Sequence, residues 1–101
     1  MRYALLTLYI LASANLYAAD GDAKAGESKA AVCMACHGPQ GNSTNPDWPK
    51  LAGQHAKYIV KQLMAFKVGT RTDPLMSSQA TQLSEQDMLN VAAYFAAQTA
   101  K

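Results

Sequence analysis

The sequence predicts a small all-α domain whose centre is completed by something other than its own side chains. Two features predict the class: three segments carry helix formers, two of them with apolar residues at helical spacing, and no segment shows the period-two alternation of a strand. A third predicts the incomplete centre. Residues 20–101 contain five Leu, one Ile, four Val and two Phe, twelve of 82 residues, below the level at which a chain of this size builds a core unaided. Small domains make up such a deficit with a disulfide, a metal or another buried group.

Residues 1–19 stand apart from that domain. Arg2 precedes an apolar run from Tyr3 to Ala14, too short to cross a bilayer, and small residues follow it. This is the pattern of an export signal, with cleavage expected after Ala18 or Ala19, or else after Ala14, and the folded domain is expected at 20–101. Left uncleaved, the same segment would be an N-terminal anchor; both readings export the domain, and cleavage would release it into the periplasm without stable membrane insertion. No lipobox-like cysteine follows the apolar run, since both cysteines belong to a C-x-x-C-H motif further on, which argues against a lipid anchor. The net charge is +2 for the whole chain and +1 for residues 20–101, and neither value points to nucleic acid.

Asp22 to Cys33 reads as the first helix, with Asp22 as its N-cap. Gly38 to Gly53 is crowded with Gly, Pro, Asn and Ser and reads as a loop with tight turns, in which Trp48 and Leu51 are expected to pack against a neighbour. Gln54 to Val68 places Ile59, Leu63 and Phe66 on one helical stripe, and Gly69 ends it. Thr70 to Thr81 has a proline and several small polar residues and reads as extended loop. Ser84 and Asp87 form a variant capping box, flanked by Leu83 and Met88 as a hydrophobic staple, and open a last helix running to about Gln98 with Met88, Val91, Ala92 and Phe95 on its apolar face.

One motif carries chemistry. Cys33-Met34-Ala35-Cys36-His37 matches the haem-attachment pattern C-x-x-C-H, in which two thiols bind one porphyrin edge and the adjacent histidine reaches the iron. A Cys33–Cys36 disulfide would close a loop too short to constrain the unfolded chain. A thioredoxin-like pair needs a βαβ setting that the chain lacks, and a zinc site would have only His55 to add. For the second axial position the domain offers Met34, Met64, Met76, Met88 and His55. Met34 lies inside the motif, Met64 and Met88 fall in helical stretches, and His55 stands at the start of a helix. Met76 is preferred because it alone falls in an expected loop, where the backbone is free to approach the iron.

The ordered set AGESKAAVCMACHG, PKLAGQ, YIVKQLMAFKVGTR, the methionine-containing segment and LSEQDMLNVAAYFAAQ resembles the class I c-type cytochromes, in particular the small monohaem proteins of the c-553 type and single halves of dihaem cytochrome c4. The resemblance covers nearly all of residues 20–101. It implies a cytochrome c-like domain wrapped around one covalently bound haem c. It also implies that Gly26 lets the first and last helices cross closely, with Tyr94 and Phe95 as the aromatic pair there, and that the Pro49 carbonyl accepts a hydrogen bond from His37. Met76 stands seven residues before Leu83, as the family's axial methionine does before its last helix. Ser77-Ser78-Gln79 is more polar than the same stretch in those relatives, and a single C-x-x-C-H is present where a dihaem protein has two.

The expected function is therefore electron carriage by a His37/Met76-ligated haem, without catalysis, between transient redox protein partners, as a monomer or weak dimer. Lys50, Lys57, Lys61, Lys67 and Arg71 are candidates for a positive docking rim. Two rival readings remain open: an electron-transfer subunit of a larger periplasmic oxidoreductase, which exposed apolar residues around Leu75 and Trp48 would favour, and a haem-based sensor or peroxidase with a vacant sixth position.

Overall fold

The computed structural model describes residues 4–7 and 21–101, so the expected cleavage point and most of the segment read as an export signal lie outside the described residues. The domain comprises helices α1 (Ala23–His37), α2 (Ala56–Val68), α3 (Pro74–Thr81) and α4 (Glu85–Ala96), with a 3-10 turn at Pro39–Gly41, and no strand occurs among the described residues.

The Asp22 carboxylate starts α1 by accepting from the amides of Lys24 at 2.9 Å and Ala25 at 3.4 Å. The helix does not stop at Cys33. It runs through the whole motif to His37, and Gly38, at φ 82°, ends it. Its buried residues before the motif are Gly26 and Ala30, and this absence of bulk lets α4 lie directly against it. At the crossing a Cβ on Gly26 would stand 1.9 Å from the Asn90 carbonyl oxygen and 2.4 Å from its carbon, so only glycine fits. The Asp22 amide ties the same place by donating to Asn90 Oδ1 at 2.8 Å.

Helix α4 begins at a complete capping box: the Asp87 amide donates to Ser84 Oγ and the Ser84 amide to Asp87 Oδ2, both at 3.0 Å. The Ser84 amide is also the main reason the Asp87 carboxyl lies below the usual carboxylate range. Met88, Val91, Ala92, Tyr94 and Phe95 form its buried face, and Phe95 and Met88 are the largest fully buried side chains. Ile59 and Leu63 of α2 and Ala30 of α1 complete the core.

Two sequence expectations need correction. Thr70–Thr81 is not extended throughout, because residues 74–81 form α3. The Asp73 carboxylate accepts from the amides of Leu75 at 2.9 Å and Met76 at 2.8 Å, while Pro74, at the first helical position, is preset for the helix. Trp48 remains 37% exposed, so of the two apolar residues in the first loop it is Leu51 that packs on the core. No helix among the described residues is long and apolar enough to cross a membrane.

Candidate haem-binding site

His37 is the last residue of α1 and is 8% exposed. Its Nδ1 lies 2.7 Å from the carbonyl oxygen of Pro49. A carbonyl only accepts, so Nδ1 carries the proton and donates, and Nε2 is left as the lone-pair nitrogen. Nε2 has no hydrogen-bond partner among the described residues. The histidine is thus held in the tautomer and orientation that suit a metal ligand.

Pro49 is presented by a loop closed at its neck. The Gly41 carbonyl accepts from the amides of Leu51 at 2.8 Å and Ala52 at 3.1 Å, and the Gly53 amide donates to the Phe95 carbonyl at 2.9 Å. Gly41, at φ 82°, has no room for a side chain, since a Cβ would meet Phe95 Cδ1 at 2.8 Å and the Ala52 nitrogen at 2.9 Å.

Cys33 and Cys36 are unpaired, half-buried thiols one helical turn apart. Burial pushes the Cys33 thiol up and the nearby Cys36 adds to this, against a lowering hydrogen bond from its own backbone. Met34, between them, has a role that sequence reasoning missed. Its Sδ accepts from the Gln40 amide at 3.4 Å and from the Tyr94 hydroxyl at 3.8 Å, which pins the motif to the 3-10 turn and to α4. Only a spatial neighbour shows this, because Tyr94 is 60 residues away. Tyr94 and Phe95 pack edge-to-face with centroids 5.2 Å apart, one turn beyond the Gly26 crossing at Asn90.

Met76 lies in the first turn of α3, half-buried against the core, and not in a loop. Met88 is fully buried, Met64 is half-buried on α2, and His55 is exposed at the α2 N-cap. The residues present fit a haem. Two free thiols and an oriented imidazole share the end of one helix, Val60, Met64, Met76 and Leu83 are only partly covered, and Leu75 is 61% exposed. Two thiols one turn apart, next to an imidazole whose lone pair is free, are a donor set that suits iron held by a macrocycle.

Comparison with known proteins defines the class: residues 23–98 match the cytochrome c family model, and the chain belongs to the cytochrome c family. Within it, the chain is 60% identical over 79 residues to cytochrome c4 of Thiocapsa roseopersicina, covering 77% of this chain and 41% of that protein. It is 41% identical over 81 residues to cytochrome c-554(548) of Halomonas halodenitrificans, covering 77% of this chain and 98% of the other. The crystal structure of reduced recombinant cytochrome c4 from Pseudomonas stutzeri superposes with a TM-score of 0.76 at 44% identity, over 80% of this chain and 47% of that one. The chain spans about half the length of the cytochrome c4 relatives it matches. Haem c is the covalent cofactor of this family, and Cys33, Cys36 and His37 stand in its C-x-x-C-H arrangement.

Proposed function

We propose that the chain is a periplasmic one-electron carrier, not an enzyme, in which Cys33 and Cys36 hold haem c and His37 and Met76 are its axial ligands. The bound haem supplies a reversible one-electron change of its iron. The observation that carries the reading is the His37–Pro49 hydrogen bond beside two free thiols, which turns the lone pair of Nε2 outward as a ligand's must be. This contact strengthens Nε2 as an electron donor to iron and so favours the ferric state. Met76 is supported by its place in the first turn of a short, side-chain-capped helix beside exposed Leu75, where a half-covered thioether is held in position by its own backbone. A filled sixth position would leave no open site for peroxide or a gas, which separates this reading from a sensor or peroxidase.

Transient docking is supported by charge. Residues 48–72 carry five cationic side chains and no acidic one. Three of the five are engaged within the molecule: Lys50 with the Lys101 main-chain oxygen, Lys67 with the Leu83 carbonyl, and Arg71 with Gln62 and the Phe66 ring. Lys57 and Lys61 are exposed with no partner among the described residues, and they would meet an acidic partner. The exposure of Leu75, together with relatives of about twice this length, also supports the second reading, a domain or subunit of a larger redox assembly.

The test is the optical spectrum of the holoprotein, wild type and Met76→Ala. Wild type is expected to retain haem through denaturation and to show, when oxidised, the weak long-wavelength band of sulfur–iron ligation; the variant is expected to keep the haem and lose the band. Persistence of the band in the variant would transfer the sixth position to another methionine.

A further inference from the structure

We infer that Asn42 is a positioning residue for His37, acting by strapping the Pro49 loop to the chain segment after α4. The inference rests on the proposed His37–iron bond. Asn42 directly follows Gly41, whose carbonyl closes the loop on Leu51 and Ala52. Its side-chain amide is used at both ends: Nδ2 donates to the Thr99 carbonyl at 3.0 Å, and Oδ1 accepts from the Lys101 amide at 2.8 Å. Lys50, the residue after Pro49, donates to the main-chain oxygen of Lys101. The segment 99–101 is therefore held from both arms of the loop, and Pro49 sits between the attachments.

The contacts on residues 99 and 101 are all main-chain contacts, so the strap does not depend on which side chains that segment carries. It does depend on an amide at position 42, because one short side chain must donate and accept at once, and asparagine does both. Ser43 stiffens the same arm: its side chain, 5% exposed, accepts from the Asn45 amide at 3.1 Å and donates to the Asn45 carbonyl at 3.0 Å. With both arms fixed, the Pro49 carbonyl cannot drift from Nδ1. Releasing the strap lets the loop fluctuate, weakens that hydrogen bond on average, makes Nε2 a poorer electron donor to iron and so disfavours the ferric haem.

The experiment uses the full chain with haem attached. Exchange of the His37 Nδ1 proton with solvent is followed by paramagnetic NMR, and the reduction potential is measured in parallel. Asn42→Ala is expected to speed the exchange on the order of tenfold, as loss of two ordinary hydrogen bonds implies, and to raise the potential. Asn42→Asp, which keeps the acceptor for Lys101 and loses the donor to Thr99, is expected to give an intermediate exchange rate. Lys101→Ala, which leaves both main-chain atoms in place, is expected to match wild type. An Asn42→Ala protein with wild-type exchange and potential would overturn the inference, as would a Lys101→Ala protein perturbed as much as Asn42→Ala. A wild type with no iron-shifted His37 resonance would overturn the ligand assignment, and the inference with it.

Discussion

Histidine 37 shows how a single proline can matter without contributing a side-chain contact. Proline has no amide hydrogen, but its carbonyl accepts the Nδ1 proton at 2.7 Å and so decides which ring nitrogen keeps its lone pair. The C-x-x-C-H spacing is legible in the sequence as a local pattern, whereas the continuation of the helix through it to His37 is not. The Pro49 contact reached the sequence reading only through family resemblance, since no spacing rule links residues 37 and 49. The same holds for Gly26. At that position Gly26→Ala would drive a Cβ into the backbone of Asn90, where no side-chain rotation gives relief. We expect a loss of about 3 kcal/mol or more in the stability of the holoprotein, at the top of the range for overpacked sites, measured by denaturant unfolding.

At the scale of elements, the signals that succeeded are those in which side chain and backbone interact locally. Asp22, Ser84 with Asp87, and Gly69 end or begin their helices where the sequence places them. Helix α3 was missed because its proline was read as a breaker, although a proline directly after an aspartate also marks the start of a helix. Its first turn hangs on the Asp73 carboxylate, which binds the amides of Leu75 and Met76. Asp73→Ala should therefore cost about 1 kcal/mol of stability. It should also make the sulfur–iron band disappear at lower temperature than in wild type, whereas Asp73→Asn, which keeps an accepting oxygen, should retain most of both. Thermal melts followed at that band and by far-ultraviolet circular dichroism would separate local loss of the ligand from global unfolding.

At the scale of the molecule, charge is distributed unevenly although its sum is small. Residues 48–72 are wholly basic in their charged side chains, while the acidic residues lie before and after them. A net charge near zero thus conceals a directional field able to orient an encounter. Replacing Lys57 and Lys61 by Glu should slow electron transfer with an acidic redox partner on the order of tenfold at low ionic strength, and the difference should shrink by about 0.5 M salt as screening sets in. Stopped-flow rates over a salt series would check it; equal rates for wild type and variant at low salt would place docking elsewhere.

The helical class, the caps, the attachment motif and the shortage of core residues are all legible in the chain, because each depends on residues within a few positions of one another or on composition alone. Tertiary structure decided what depends on distant residues meeting: the approach of α4 at Gly26, the thioether of Met34 under Tyr94, the carbonyl of Pro49 on His37 and the strap at Asn42. Contacts across 12 to 64 residues follow from how the packed helices bring the loops together, and no local propensity encodes that distance.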